Sequence, residues 1–321
     1  MDEDGLFAMS HQRYTTNTVL LNKTRGAATT ITKGTAPDMA DLSMATVLSL
    51  SGRVALITGG GTGIGLSIAK TFAANGAKVY IVGRRLDVLE KVAASVPGSI
   101  IPLQMDVTDE ESVKAGAKHI EGIDGKLDIL VNNAGFSASL RDPDFIAKRD
   151  TALDPLEPET VQNWADIFAL NTIAPFFVVR AFQSLLIKGA HSRHQGTSSI
   201  INISSISAKI NAPGPAACIA YGVTKAALDK LTLVLGTSFA GRGIPIRVNG
   251  LQPGAFVSQI LSAEFLESIT SKVIPGFVAP IPARRHGTDA EIGATAIYLA
   301  VSDYTNGAIL CIDGGTSLVN P

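Results

Sequence analysis

From residue 53 onward, short and nearly unbroken apolar runs alternate with longer segments whose apolar residues recur every three or four positions. The runs are Val54 to Ile57, Lys78 to Val82, Ile100 to Leu103, Ile129 to Val131, Ser199 to Ile203, Ile246 to Leu251 and Ala308 to Ile312. They predict seven strands buried on both faces, the habit of parallel sheets. The segments between them predict helices, and Ile68, Phe72 and Ala73 fall on one side of the first. Right-handed crossovers then make a doubly wound, mainly parallel α/β domain with its ligand crevice at the carboxyl ends of the strands. No internal repeat is apparent.

Residues 1–49 are rich in Thr, Ser, Asn and Ala without periodicity and read as a flexible extension. Residues 50–321 are left as the working domain. Arg13, Lys23, Arg25 and Lys33 would suit a mitochondrial leader, but Asp2, Glu3 and Asp4 argue against one, so a cytoplasmic protein is expected.

With 321 residues, 46% of them hydrophobic and 17% charged, the chain has material for a large core. A formal net charge of -1 without a basic run carries no footprint for nucleic acid, and no stretch reads as a membrane span. A small-molecule partner is the remaining expectation. Cys218 and Cys311 stand far apart, and His191 and His194 form no ligand set, so no metal is expected.

Behind the first apolar run comes Thr58-Gly59-Gly60-Gly61-Thr62-Gly63-Ile64-Gly65, opening onto helical sequence. Glycines at 59, 63 and 65 let the backbone turn sharply and bring a pyrophosphate to the first amides of the next helix. The four-and-two spacing differs from the two-and-three spacing of the common dinucleotide motif. Taken alone it fits a cofactor cradle or a structural turn.

Tyr221 and Lys225 lie four residues apart at the start of the pattern Ala226, Ala227, Leu228, Leu231, Leu235, which places both on one helix face. A phenol with a pKa near ~10 exchanges protons poorly at neutral pH unless a cation such as Lys225 stabilises its phenolate. Ser204 and Ser205 end the strand Ile201-Asn202-Ile203, where a hydroxyl points into the expected crevice. Neither has a histidine partner in sequence, which favours hydrogen bonding over covalent attack.

These motifs, with Asn132-Asn133-Ala134-Gly135 and Pro253-Gly254 between and after them, occur in an order that resembles the short-chain dehydrogenase/reductases over about residues 50–316. The resemblance implies a single Rossmann-type domain. It implies Tyr221 as general acid or base, Lys225 on the nicotinamide ribose, Ser205 rather than Ser204 on the substrate oxygen, and Asn171 holding a water beside the lysine. Thr58, Gly59, Gly61, Thr62, Gly63, Ile64 and Gly65 would cradle the dinucleotide, with Asn132, Ala134 and Gly135 as the cleft floor. Asp106 and Val107 would meet the adenine, and Pro253, Gly254 and Ser258 the nicotinamide. Asp313-Gly314-Gly315 resembles the family's closing turn, and a homo-oligomer, tetramer or dimer, is implied.

The second strand ends Gly83-Arg84-Arg85, without the acid that would accept from the ribose hydroxyls of NAD(H). Gly83 leaves room for a 2'-phosphate and Arg84, assisted by Arg85, can hold one, so NADP(H) is the expected cofactor. Between Ala255 and Pro282, Phe256, Val257, Ile260, Leu261, Phe265, Ile269, Val273 and Ile274 recur at roughly helical spacing, followed by Pro275, Gly276 and Pro280. This resembles a lid and suits an apolar carbonyl or alcohol, such as a 3-oxoacyl or secondary-metabolite ketone. The stretch Phe136 to Gln162 and the Ser205–Tyr221 interval with Pro213-Gly214-Pro215 are long and border the expected pocket. A non-redox scaffold, or an isomerase or dehydratase on the same fold, is the alternative class.

Overall fold

The computed structural model describes residues 42–320 apart from 97, 139–141, 143, 155, 195, 212–217, 270–271 and 274–276. The strands are β1 (Val54–Thr58), β2 (Lys78–Gly83), β3 (Ile100–Gln104), β4 (Ile129–Asn132), β5 (Ser198–Ile203), β6 (Ile246–Pro253) and β7 (Ile309–Ile312). The helices are α1 (Met44–Val47), α2 (Gly63–Ala74), α3 (Leu86–Ser95), α4 (Glu110–Asp124), α5 (Phe145–Thr151), α6 (Val161–Phe168), α7 (Ala174–His191), α8 (Ile219–Gly241), α9 (Ala263–Ile269), α10 (Asp289–Val301) and α11 (Thr316–Val319). A π-helical turn over Ala169–Ile173 joins α6 to α7, and a 3₁₀ turn over Ile206–Ala208 follows β5.

All seven strands pair in parallel in the order β3-β2-β1-β4-β5-β6-β7. The predicted seven-stranded doubly wound fold is the observed one, and every pairing is parallel. Alternation of side chains explains why the strands read as continuous apolar runs. Ala55, Ile57, Val79, Ile81, Val131 and Ile201 face a core shared with Ile68 and Phe72 of α2 and Ile292, Ala296 and Leu299 of α10. Their neighbours Leu56, Tyr80, Leu130, Ile200 and Val248 face the opposite core, with Val113 and Ile120 of α4, Phe182 and Leu186 of α7 and Leu235 of α8.

Leu50 is fully buried and Leu48 packs beside it, so the packed body begins a little before residue 50. Residues 42–47 of the expected N-terminal extension carry the short exposed helix α1, while residues 1–41 lie outside the described residues, as does the Pro213-Gly214-Pro215 segment. The continuous helical run 161–191 is long and apolar enough to cross a membrane by length and composition alone. Its residues Val178, Val179, Phe182, Leu185 and Leu186 are instead buried against the sheet. Strand order reverses between β1 and β4, which puts a crevice at their carboxyl ends.

Candidate active site

The crevice opens into a cavity of about 940 Å³, within the size range of small-molecule sites. Gly59, Gly61, Thr62, Gly63 and Ile64 line one end. Gly59 and Gly63 have φ of +64° and +53°, a region that side chains disfavour, so glycine is required for this turn. A Cβ on Gly65 would stand 2.5 Å from the Gly59 carbonyl oxygen and closer to the Asn133 amide, so its role is close packing. Thr58 and Gly65 do not reach the cavity. Thr58 Oγ1 accepts from the amides of Asn133 at 2.9 Å and Ala134 at 3.0 Å, tying the end of β4 to that of β1. Thr62 caps α2 without a side-chain bond, leaving the first amides of the helix for an anion at the cavity wall.

Ser205, Tyr221 and Lys225 line the same cavity. Ser205 follows β5 and caps the 3₁₀ turn, its Oγ accepting from Ser207 N at 3.1 Å, and its side chain acts on the Tyr221 phenol. Ser204 also touches the cavity, but its Oγ donates to the Lys225 carbonyl at 3.1 Å. Tyr221 lies in the first turn of α8 and Lys225 in the next. Lys225 is 3% exposed, donates from Nζ to the Ile203 carbonyl at 2.9 Å and stands 5.6 Å from the Tyr221 ring centroid.

Burial pushes the Tyr221 phenol up to about 12, with the Ser205 hydrogen bond pulling the other way. Burial likewise pushes the Lys225 ammonium down to about 8, opposed by the charge of Asp229. The expected depression of the phenol is not seen: desolvation sets the direction of the shift, and the Lys225 ammonium donates to the Ile203 carbonyl.

Asn171, on the π turn, is fully buried and does not line the cavity. Its Oδ1 accepts from Phe136 N at 3.0 Å, and its Nδ2 donates to Phe136 O at 3.0 Å and Thr224 Oγ1 at 3.1 Å. This amide braces the loop after β4 against α8. Asn132 differs from expectation. It faces into the sheet and donates to Asn202 Oδ1 at 2.8 Å, while Asn133, given no role of its own in the sequence, lines the cavity and donates to Thr58 O and Gly59 O. The N-N pair carried no signal for which member turns inward, because bonds to the end of β1 decide it.

Arg84 and Arg85 line the cavity at the end of β2, with Arg85 capping α3 without a side-chain bond. A Cβ on Gly83 would meet nothing closer than Leu89 Cδ2 at 3.8 Å, so space is open there. Asp106 and Val107 line the wall beyond β3, with Asp106 Oδ1 accepting from Thr108 N at 2.9 Å and Oγ1 at 2.7 Å. Ala134, Gly135, Pro253, Gly254 and Ser258 also line it. Ser258 Oγ accepts from the amides of Ile260 and Leu261 at 3.2 and 3.1 Å. A Cβ on Gly63 would come within 3.1 Å of Ser258 Cα, so this loop closes over the start of α2.

Of the expected lid, Phe256, Ile260, Leu261 and Phe265 line the cavity, joined by Phe277 and Ile281. Val257 and Val273 are exposed, and Ile274, Pro275 and Gly276 lie outside the described residues. The stretch after Phe136 is partly helical, and Phe136, Ala138 and Phe145 pack with Ile167, Trp164, Leu170 and Tyr221 into a third cluster that walls the site.

Comparison with known proteins agrees with this geometry. The family model described as enoyl-(acyl carrier protein) reductase matches residues 59–317. The chain is 35% identical to the short-chain dehydrogenase/reductase VdtF of Byssochlamys spectabilis, over 85% of this chain and 95% of that protein. It is 33% identical to the galactitol 2-dehydrogenase (L-tagatose-forming) of Cereibacter sphaeroides, over 84% and 97%. Among solved structures, the Pseudomonas aeruginosa RhlG/NADP active-site complex superposes with a TM-score of 0.70 at 29% identity, covering 84% of this chain and 98% of that one. Fold, motif order and relatives together place the chain in the short-chain dehydrogenase/reductase family, as an oxidoreductase working on alcohol and carbonyl groups.

Proposed function

We propose that the protein is an NADP-dependent oxidoreductase that interconverts a ketone and a secondary alcohol at a Ser205–Tyr221–Lys225 site. One observation carries this reading: the glycine-built start of α2, the three side chains, and Arg84 and Arg85 all open onto the same cavity. The residues fit a phosphorylated dinucleotide. The turn at Gly59–Gly63 with the uncapped α2 amides would hold the pyrophosphate, Arg84 and Arg85 the 2'-phosphate, and Lys225 the ribose. The similar solved structure is itself an NADP complex. When bound, the cofactor supplies or accepts the hydride.

The chain's residues do the rest. Ser205 orients the substrate oxygen, and Tyr221, protonated throughout the neutral range, donates its proton as charge develops there. Phe136, Leu170, Phe256, Ile260 and Phe265 make the substrate end apolar and exclude water, which suits an apolar ketone such as a 3-oxoacyl or secondary-metabolite compound. Exposed apolar residues Ile173, Phe176 and Val223 on neighbouring helices support a homo-oligomer.

The test is reduced-nicotinamide absorbance with a ketone panel. Wild type turns over, and Tyr221→Phe loses about 10²–10⁴-fold in kcat while still binding cofactor. Product formed without net cofactor oxidation would point to an isomerase or dehydratase instead, and cofactor binding without any turnover to a scaffold.

A further inference from the structure

We propose that Asp229 is a positioning residue of this site: one helical turn beyond Lys225 and clamped to Gln252 of β6, it is the counter-charge that keeps the buried lysine an ammonium. The inference rests on the Ser205–Tyr221–Lys225 reading above. Lys225 is almost wholly buried, and its Nζ hydrogen bond goes to a neutral carbonyl, Ile203 O. A cation so placed needs a nearby anion or it sheds its proton. The four-residue step along α8 sets Asp229 on the same helix face as Lys225.

The carboxylate is held from β6, where Gln252 Nε2 donates to Asp229 Oδ2 at 2.6 Å; the Ser204 hydroxyl beside it donates to the Lys225 carbonyl at 3.1 Å. Asp229 Oδ1 and Gln252 Oε1 are both buried with no hydrogen-bond partner. A buried carboxylate oxygen without a partner calls for an explanation, and the buried ammonium one helical turn away supplies one for Asp229.

Among the described residues, the titratable groups around the pair are few. Tyr221 shares the helix, Lys209 beyond the 3₁₀ turn acts on Asp229, and Cys311 and Asp313 at the end of β7 interact with each other, Cys311 also with Lys209. Burial raises the pKa of Asp229 and lowers that of Lys225, so the charged pair occupies a bounded pH window. Below the window Asp229 is protonated. Above it Lys225 is neutral.

The test is kcat/KM against pH for NADPH-dependent ketone reduction by the full-length wild type, Asp229→Asn, Asp229→Glu and Gln252→Leu, with folding followed by thermal melting. Asp229→Asn is expected to erase the acid limb and move the alkaline limb down by about one pH unit, a tenfold loss on that limb. Asp229→Glu restores both limbs. Gln252→Leu removes a bond to the charged carboxylate and moves the acid limb up, an independent arm should the Asn variant fail to fold. Limbs unmoved in the folded variants overturn the proposal. If the wild type binds NADPH but reduces no ketone, the oxidoreductase reading falls, and the pH dependence of the NADPH dissociation constant in the same proteins decides this one: a limb that moves in Asp229→Asn supports it, one that stays overturns it.

Discussion

Lys225 shows what the fold tolerates for the sake of chemistry. Its ammonium is pushed from 10.5 down to about 8, so the folded state binds fewer protons than the unfolded chain between those values. Stability therefore rises with pH through that window, and the full penalty of the buried charge, at most about 3 kcal/mol, is present below it. Replacement by a long apolar side chain removes that penalty. Lys225→Met is expected to raise the melting temperature at pH 7 and to abolish turnover; a lower melting temperature would mean that the ammonium is better paid for by Ile203 and Asp229 than its burial suggests. At the same scale, Tyr221 and Lys225 were legible because a four-residue helix step is local. Asn133 was not, because its side chain is turned by bonds to Thr58 O and Gly59 O at the end of β1, and neither was the Asp229–Gln252 pair, which forms only once α8 lies over β6.

The same distinction between local and long-range signals holds for whole elements. The strands could be read within one or two residues from their apolar runs, since both faces of the sheet are covered. What ties them to their helices was not legible. Arg247 of β6 is 3% exposed and runs across the end of α10, donating to Leu299 O at 2.9 Å, Ala300 O at 3.0 Å and Thr305 O at 3.1 Å, with Nε on Thr197 Oγ1 at 2.6 Å. Arg53 donates to Ala300 O as well, at 3.1 Å. Two guanidinium groups thus satisfy carbonyls that the helix end leaves over and complement its negative pole. The other end of α10 carries a capping box between Thr288 and Glu291. Arg247→Met should strand those carbonyls and lower stability by about 3 kcal/mol in urea unfolding, with kcat unchanged in the folded fraction. The site lies at the opposite ends of the strands, so a large fall in kcat at full folding would show a coupling that this architecture does not contain.

Over the whole molecule, the sheet order brings residues from all parts of the chain to one crevice. Gly63, Arg84, Ser205, Tyr221 and Ser258 share a cavity because β2, β1, β4 and β5 end side by side and the loop after β6 folds over α2. Motif order in the sequence anticipated this convergence, whereas the shape of the substrate end depends on packing between α6, α9 and the loop after β4. Charge divides the cavity into a cationic end at Arg84 and Arg85 and an apolar end under Phe256 and Phe265. Arg84→Ala is expected to raise the KM for NADPH about 10–100-fold and to leave that for NADH nearly unchanged, measured as initial rates with each cofactor. Equal loss with both would assign Arg84 to the fold rather than to a phosphate.

The central claim is that one cavity holds both a phosphorylated nicotinamide cofactor and a ketone for direct hydride transfer. Reduction with NADPH deuterated at the transferring position of C4, followed by mass spectrometry of the alcohol, tests it most directly. The account predicts one deuterium on the carbinol carbon per NADPH consumed, with Tyr221→Phe forming almost none. Alcohol that carries no deuterium, or product formed while NADPH is not consumed, would contradict it.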